Sequence, residues 1–323
     1  MGEKIIDLPG PVPELFYQQA LEAMKHRLVK TGFAKAVYQI GGISSPGISD
    51  LDMVVVFEDG AAVPTNFLET LDARERYLFI HNLYGISIRH FPEAERFAFY
   101  HQYRLLHGEE VRQFPDIQDS DIRTLQVQIA LEYMVKMYIT IFLQNAYGVI
   151  RVRDLLLHVK ALQYDLEFMG IKNGSMVRHV EQVLDWRKRW FTDKPDTAEV
   201  LTWWKEFYHD FNGLLVELLE VFPFYLPIQD SYAIARNISL MPSSGAIGAS
   251  HKGFILPKIF SLAGKKYFRL QNRLNQFQFN VPVQSHDIPE VISNKFQFEQ
   301  TVVNYNKKYL PRFLPITSSL HAI

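Results

Sequence analysis

No cysteine occurs in the 323 residues. That excludes disulfides, thiolate metal sites and a cysteine nucleophile, and it fits a reducing compartment. An excess of either charge is missing too: 34 Lys and Arg stand against 35 Asp and Glu, a formal net charge of −1. A chain so balanced is a poor candidate for indiscriminate binding along nucleic acid, which calls for a broad positive surface. Long apolar runs are also scarce. The most apolar stretch, from Tyr133 to Ile150, is interrupted by Lys136, Gln144 and Asn145, which suits a buried helix better than a membrane span. The first residues carry acids and prolines where a secretion signal has an apolar core. Internal repeats and low-complexity tracts are absent. The expectation is a cytoplasmic protein with no membrane partner.

What is present is material for a core. Hydrophobic residues make up 48% of the chain, and its length suits two domains, or one with a large appendage. The most informative stretch is Tyr38 to Phe57, YQIGGISSPGISDLDMVVVF. An apolar run ends in Gly41-Gly42, a short polar loop follows, and Ser49-Asp50-Leu51-Asp52 leads into an apolar strand. In an extended chain alternate side chains share a face, so Asp50 and Asp52 project together. Two carboxylates side by side repel unless a cation sits between them. Mg²⁺ suits such a pair, since it prefers oxygen ligands and commonly shares them with substrate phosphates. Mn²⁺ is the alternative. Paired glycines let a backbone approach a phosphate closely. A hairpin whose turn happens to carry Gly, Pro and Asp would read similarly.

Taken together, Ile40-Gly41-Gly42, the loop, Ser49-Asp50-Leu51-Asp52 and the flanking apolar strands resemble the signature of the DNA polymerase beta-like nucleotidyltransferase superfamily. The resemblance implies a nucleotidyltransferase, with Asp50 and Asp52 as catalytic metal ligands and Gly41, Gly42 and Ser49 holding the nucleotide. It implies a nucleoside triphosphate substrate, ATP first, and a hydroxyl acceptor that is a small molecule, a protein or an RNA end. The family normally adds a third carboxylate from a later strand. The natural place is Ile86 to His90, where no acid stands and Ser87 or Arg89 takes the slot. Asp72, Glu75, Glu93 and Glu95 lie nearby, and their spacing nominates none of them. The loss of that acid leaves open a nucleotide-binding or regulatory module without catalysis.

The pattern along the chain predicts an α+β fold: a nucleotidyltransferase-like mixed sheet with helices over 1–117, an α-helical bundle over 118–226, and a less regular segment over 227–323 as a candidate to pack on the active site. The core reads as a helix over 14–30, strands at 36–40 and 52–57, a helix over 65–76, and one or two strands over 77–91. The boundary falls at Pro115 and the polar run after it. Helices are expected near 122–145, 151–167, 176–190 and 197–221, with Gly148, Gly170, Asn173-Gly174 and Pro195 as breaks. Trp186, Trp190, Trp203 and Trp204 read as bundle core. The small-residue run Met241 to Gly253 reads as a mobile loop, lacking the Gly-Lys-Ser/Thr end of a P-loop. Lys265, Lys266, Arg269 and Arg273, interleaved with Tyr267, Phe268, Phe277 and Phe279, read as an amphipathic helix with a solvated basic face, followed by a strand. Single-stranded nucleic acid would be the functional counterpart. Arg153 and His158, with the residues between them, resemble the motif of HEPN-type ribonucleases. An arginine to hold phosphate and a histidine for acid–base work suit RNA cleavage.

Overall fold

The computed structural model describes residues 3–98, 102–113, 118–227, 229, 231–317 and 320. In chain order its elements begin with β1 (Lys4–Ile6), α1 (Glu14–Val29), β2 (Ala34–Ile40), β3 (Asp52–Phe57), α2 (Ala73–Leu78), β4 (Tyr84–Ser87), α3 (Phe91–Phe97), β5 (Tyr103–Gly108) and α4 (Asp119–Tyr147). They continue with β6 (Val149–Arg151), α5 (Val152–Met169), α6 (Ser175–Arg189), α7 (Thr197–Val221), β7 (Tyr232–Ala235), β8 (Ile238–Ser243), β9 (Gly248–Gly253), α8 (Lys265–Leu274), β10 (Asn275–Pro282) and α9 (Glu290–Tyr309). This is a mixed α+β chain. It divides into two compact units, a helix-rich one of the chain up to Pro9 with Arg123–Ile292, and a sheet unit of Gly10–Ile122 with the chain from Ser293 on. The segment expected as a single extension over 227–323 is therefore shared between the two.

The sheet unit is built on four strands in the order β4-β3-β2-β5. β2 and β3 are antiparallel, with Ile40 opposite Asp52 and Tyr38 opposite Val54. β4 runs parallel to β3, and β5 antiparallel to β2. Nearly every residue of β2 and β3 is buried, as their unbroken apolar runs require of strands covered on both faces. Tyr17, Leu21, Met24 and Leu28 of α1 recur at helical spacing and pack on the face carrying Val37, Met53, Val55 and Phe57. The alternate residues face the other way, where the Tyr38 ring stacks on Phe91 of α3 at 5.8 Å between centroids.

Within the sheet unit three stretches differ from the pattern read in the sequence. The helix expected over 65–76 is a 3₁₀ turn, Phe67–Thr70, followed by α2. Asp72 separates the two, because its carboxylate caps α2 by accepting the Arg74 and Glu75 N–H groups at 2.8 Å each. Glu75 completes a capping box and the helix runs on through Leu78, so only 84–87 of the 77–91 stretch is strand. Phe91–Phe97, expected to begin at the end of a strand, is a helix with Pro92 in its first turn.

The C-terminal chain completes the sheet unit. The Phe298 ring of α9 lies 5.5 Å from Phe97, and the Tyr305 hydroxyl accepts the Gly60 N–H at 2.7 Å. Beyond α9, Leu314 bridges to Tyr84 in parallel, and its carbonyl accepts the Gly85 N–H at 2.9 Å.

In the helix-rich unit α4 to α7 fall where expected. Trp186, Trp190, Trp203 and Trp204 are buried core, with Trp203 stacked on Phe207 at 4.9 Å. The Met241–Gly253 run is not a mobile loop: it supplies the end of β8 and all of β9, which flank β10 on either side. Phe277, Phe279 and Val281 alternate inward along β10. Lys266, Arg269 and Arg273 of α8 are solvent-exposed while Tyr267 is buried, the amphipathic pattern read from the sequence. The Lys265 side chain lies outside the described residues, as does Pro115. No helix among the described residues is long and apolar enough to cross a membrane.

At Gly85 the C-terminal chain packs tightly on the sheet. A Cβ there would stand 2.6 Å from the Phe313 Cβ, so Gly85→Ala should cost about 1–3 kcal/mol by overpacking. The expected result is a lower thermal midpoint, followed by circular dichroism; an unchanged midpoint would show that Phe313 can move aside freely.

Candidate metal centre

Gly41 follows the last residue of β2 and Asp52 is the first of β3, so the pairing of Ile40 with Asp52 brings the glycine turn beside the carboxylate. Gly41 adopts φ +70°, a left-handed conformation that only glycine takes without strain. Its N–H is already donated to the Gln102 carbonyl at 3.0 Å. Gly42 is exposed, and among the described residues its N–H has no backbone acceptor.

Between the strands, the loop is shaped by two tyrosines. The Tyr17 hydroxyl accepts the Gly47 N–H and donates to the Ser49 carbonyl, both at 2.8 Å. The Tyr77 hydroxyl donates to the Gly47 carbonyl at 2.6 Å and accepts the Gly10 N–H at 2.9 Å. The Ser49 hydroxyl is turned into the loop, accepting the Ser45 N–H at 3.2 Å, and its residue is buried. Ser49 thus shapes the loop that delivers Asp50. Tyr77 also walls a cleft of about 310 Å³ with Val12, Phe16, Ala73 and Arg74.

Asp50 and Asp52 are joined by a residue that sequence reasoning missed. One ligand atom from each of Asp50, Asp52 and His81 lies within 4.8 Å of the others. His81 stands between the end of α2 and the start of β4. The Leu51 N–H donates to the Leu78 carbonyl at 3.0 Å, and β4 pairs with β3 from Tyr84 opposite Val54. Both ends of the 78–84 segment are therefore tied to β3 and its approach. His81 Nε2 lies 2.8 Å from Asp52 Oδ1, and its Nδ1 lies 2.7 Å from the Asn82 carbonyl oxygen. Asp52 Oδ1 is shielded from solvent, with the His81 ring nitrogen beside it. A shielded carboxylate oxygen facing a second carboxylate and an imidazole fits a divalent cation. The only hint in the sequence was a polar His-Asn pair breaking the apolar run from Leu78 to Ile86.

The slot at Ile86 to His90 is not beside the carboxylates. Ser87 pairs with Phe57, at the opposite end of β3 from Asp52, roughly 17 Å away at the rise of a strand. Arg89 is exposed beyond that same end. The parallel pairing of β3 and β4 is the reason, because it sets the start of β4, not its end, next to Asp52. Of the acids nearby, Asp72 and Glu75 form the α2 cap, and Glu75 also pairs with Arg27 at 3.0 Å. Glu93 is exposed, 3.7 Å from Arg96. Glu95 is half-buried on α3, which covers the Asp52 face through Phe91 and Tyr38. Its Oε1 is shielded and without a hydrogen-bond partner among the described residues. Burial pushes its carboxyl up, against the opposing pull of the Tyr103 hydroxyl and Arg112.

In the helix-rich unit Arg153 and His158 both lie on α5. Arg153 is only 3% exposed, and His158 Nδ1 lies 2.7 Å from the Asp154 carbonyl oxygen. A buried guanidinium is poorly placed to meet RNA phosphate.

No family model, curated protein or solved structure gives a significant match to this chain.

Burial alone would push the His81 imidazole down, but the contact with Asp52 and its charge, the Asn82 carbonyl and the Asp50 charge outweigh it, raising it to about 9. With 35% of the side chain open to solvent, the carboxylates decide the direction. A group raised in the folded state favours folding fully below its ordinary range near 6.5 and loses that contribution as pH rises through about 9. In metal-free protein the His81 ring protons should titrate near 9 by NMR, and Asp52→Asn should bring the midpoint down. A midpoint in the ordinary range in wild type would show that the pair does not form in solution.

Proposed function

We propose that the sheet unit is a divalent-metal-dependent nucleotidyltransferase, moving a nucleoside monophosphate from a nucleoside triphosphate, ATP first, to a hydroxyl acceptor. The observation that carries this reading is the meeting of Asp50, Asp52 and His81 donor atoms within 4.8 Å, next to a glycine turn with an exposed backbone. Asp50 and Asp52 would hold the cation. When bound, it supplies neutralisation of the triphosphate and of the departing pyrophosphate. The Gly42 amide is the backbone donor placed for a phosphate oxygen, with Gly41 providing the turn that presents it.

The acceptor hydroxyl attacks the α-phosphorus, the bond to the bridging oxygen breaks, and pyrophosphate leaves in line with the attack. The proton lost by the hydroxyl needs a base. Glu95 is the candidate, as a half-buried carboxyl on α3, which covers the Asp52 face. The remaining work is positioning and charge stabilisation. A cysteine-free chain using nucleoside triphosphates belongs in the cytoplasm. The acceptor classes remain a small molecule, a protein hydroxyl and an RNA end.

One observation favours a second reading. No third carboxylate joins the cluster among the described residues, as in a module that binds nucleotide without transferring it.

The test is calorimetry of the four ribonucleoside triphosphates, with and without Mg²⁺ or Mn²⁺, on wild type and the Asp50→Ala/Asp52→Ala double variant. Metal-dependent binding that the double variant loses is expected. Absence of binding to every nucleotide would remove the reading. With an acceptor in hand, Asp52→Asn should lower turnover by at least about 10²-fold, the scale of losing one charge-stabilising contact in a site of this kind. Turnover without that loss would sink the assignment, and binding with no turnover would select the second reading.

A further inference from the structure

We propose that His81 is the third ligand of the Asp50–Asp52 site, and that the site takes a first-row transition cation, Mn²⁺, in preference to Mg²⁺. This rests on the reading of Asp50 and Asp52 as a metal pair and adds to it the donor that decides the metal.

The first argument is the orientation of the ring. A histidine that ligates metal donates its other ring N–H to a carbonyl or carboxylate, which fixes the tautomer and aims the free nitrogen. His81 has that arrangement. Its Nδ1 is 2.7 Å from the Asn82 carbonyl oxygen, and its Nε2 points to within 2.8 Å of Asp52 Oδ1. The Asn82 carbonyl can only accept, so Nδ1 carries the hydrogen and Nε2 is the nitrogen directed into the cluster.

The second argument is the company of that nitrogen. A His–Asp ion pair alone would account for the contact with Asp52. It would not account for an Asp50 donor atom in the same 4.8 Å cluster. A cation among the three would relieve the repulsion between the carboxylates. The ring is also held in place: its edge packs on Tyr84 at 5.4 Å between centroids, and the Leu83 carbonyl two residues on accepts the Leu314 N–H at 2.9 Å.

The third argument is donor chemistry. Mg²⁺ is a hard cation that takes oxygen ligands and gives up water reluctantly. An imidazole nitrogen suits transition cations, whereas carboxylates and phosphates suit Mg²⁺ and Mn²⁺ alike. A set of two carboxylates and one imidazole, facing a triphosphate, matches Mn²⁺ on both counts. Replacing a third carboxylate by a neutral imidazole also removes one negative charge, which weakens the hold on Mg²⁺ most.

The experiment uses metal-stripped full-length protein and the metal alone. Mn²⁺ and Mg²⁺ are titrated by calorimetry into wild type, His81→Ala and His81→Asp, and bound Mn²⁺ is read by electron spin-echo spectroscopy. Wild type is expected to bind Mn²⁺ at least about tenfold more tightly than Mg²⁺ and to show nitrogen modulation in the echo. His81→Ala should lose about tenfold or more in Mn²⁺ affinity together with the nitrogen signal. His81→Asp, which restores an all-oxygen set, should shift the preference toward Mg²⁺ and controls for a folding defect in the alanine variant. Equal affinity for the two metals in wild type, or unchanged Mn²⁺ binding in His81→Ala, would overturn the proposal. Binding of neither metal would overturn it together with the metal pair beneath it. Mn²⁺ binding with no nucleotide binding would uphold this inference and remove only the transferase reading.

Discussion

Two carboxylates held at the mouth of one strand repel each other, and the sheet unit is arranged around the answer to that repulsion. Asp50 and Asp52 cannot move apart. Asp52 is locked opposite Ile40 by the β2–β3 ladder, and the loop before Asp50 is pinned by the Tyr17 and Tyr77 hydroxyls. Positive charge must therefore come to them. The His81 imidazole can supply it as a proton, and the charges of Asp52 and Asp50 raise the imidazole above its ordinary range.

Much of the surrounding structure serves this corner. α1 buries Tyr17 in the core, and a buried hydroxyl needs partners. The loop provides them in the Gly47 N–H and the Ser49 carbonyl. The Leu51 N–H reaches the end of α2, so the short helix that delivers His81 is registered against the strand that carries Asp52. On the opposite face α3 lays Phe91 over Tyr38 and sets Glu95 beneath the sheet. The C-terminal chain, returning through Leu314 to pair with Tyr84, holds β4 from its outer edge. Helix and strand are each ordinary; their register makes the site.

The helix-rich unit shows the same dependence on packing. Arg153 and His158 have the residue types of a ribonuclease motif, but their helix turns Arg153 into the interior. The resemblance named the chemistry that these side chains could perform, and packing withdrew one of them from solvent. Lys266, Arg269 and Arg273 of α8 went the other way, out to solvent, while Tyr267 took the inward position on the same helix.

Local constraints were legible in the sequence because they act over a few residues. Alternation along an extended chain puts Asp50 and Asp52 together, helical spacing in 14–30 and 122–221 announces α1 and the bundle, and Gly41 marks a turn that needs positive φ. The failures were also local in origin: Asp72 competes for the backbone as a cap and splits the expected helix, and its capping box carries α2 into a stretch where aromatics suggested a strand. What the tertiary structure alone decided was which distant residue meets the carboxylates. That choice depends on whether β4 lies parallel or antiparallel to β3, and the strands' own residues pattern alike in either direction. Parallel pairing puts Ser87 and Arg89 at the far end and His81 beside Asp52. A partner some thirty positions away in the chain is set by strand register, which no spacing rule within either segment encodes.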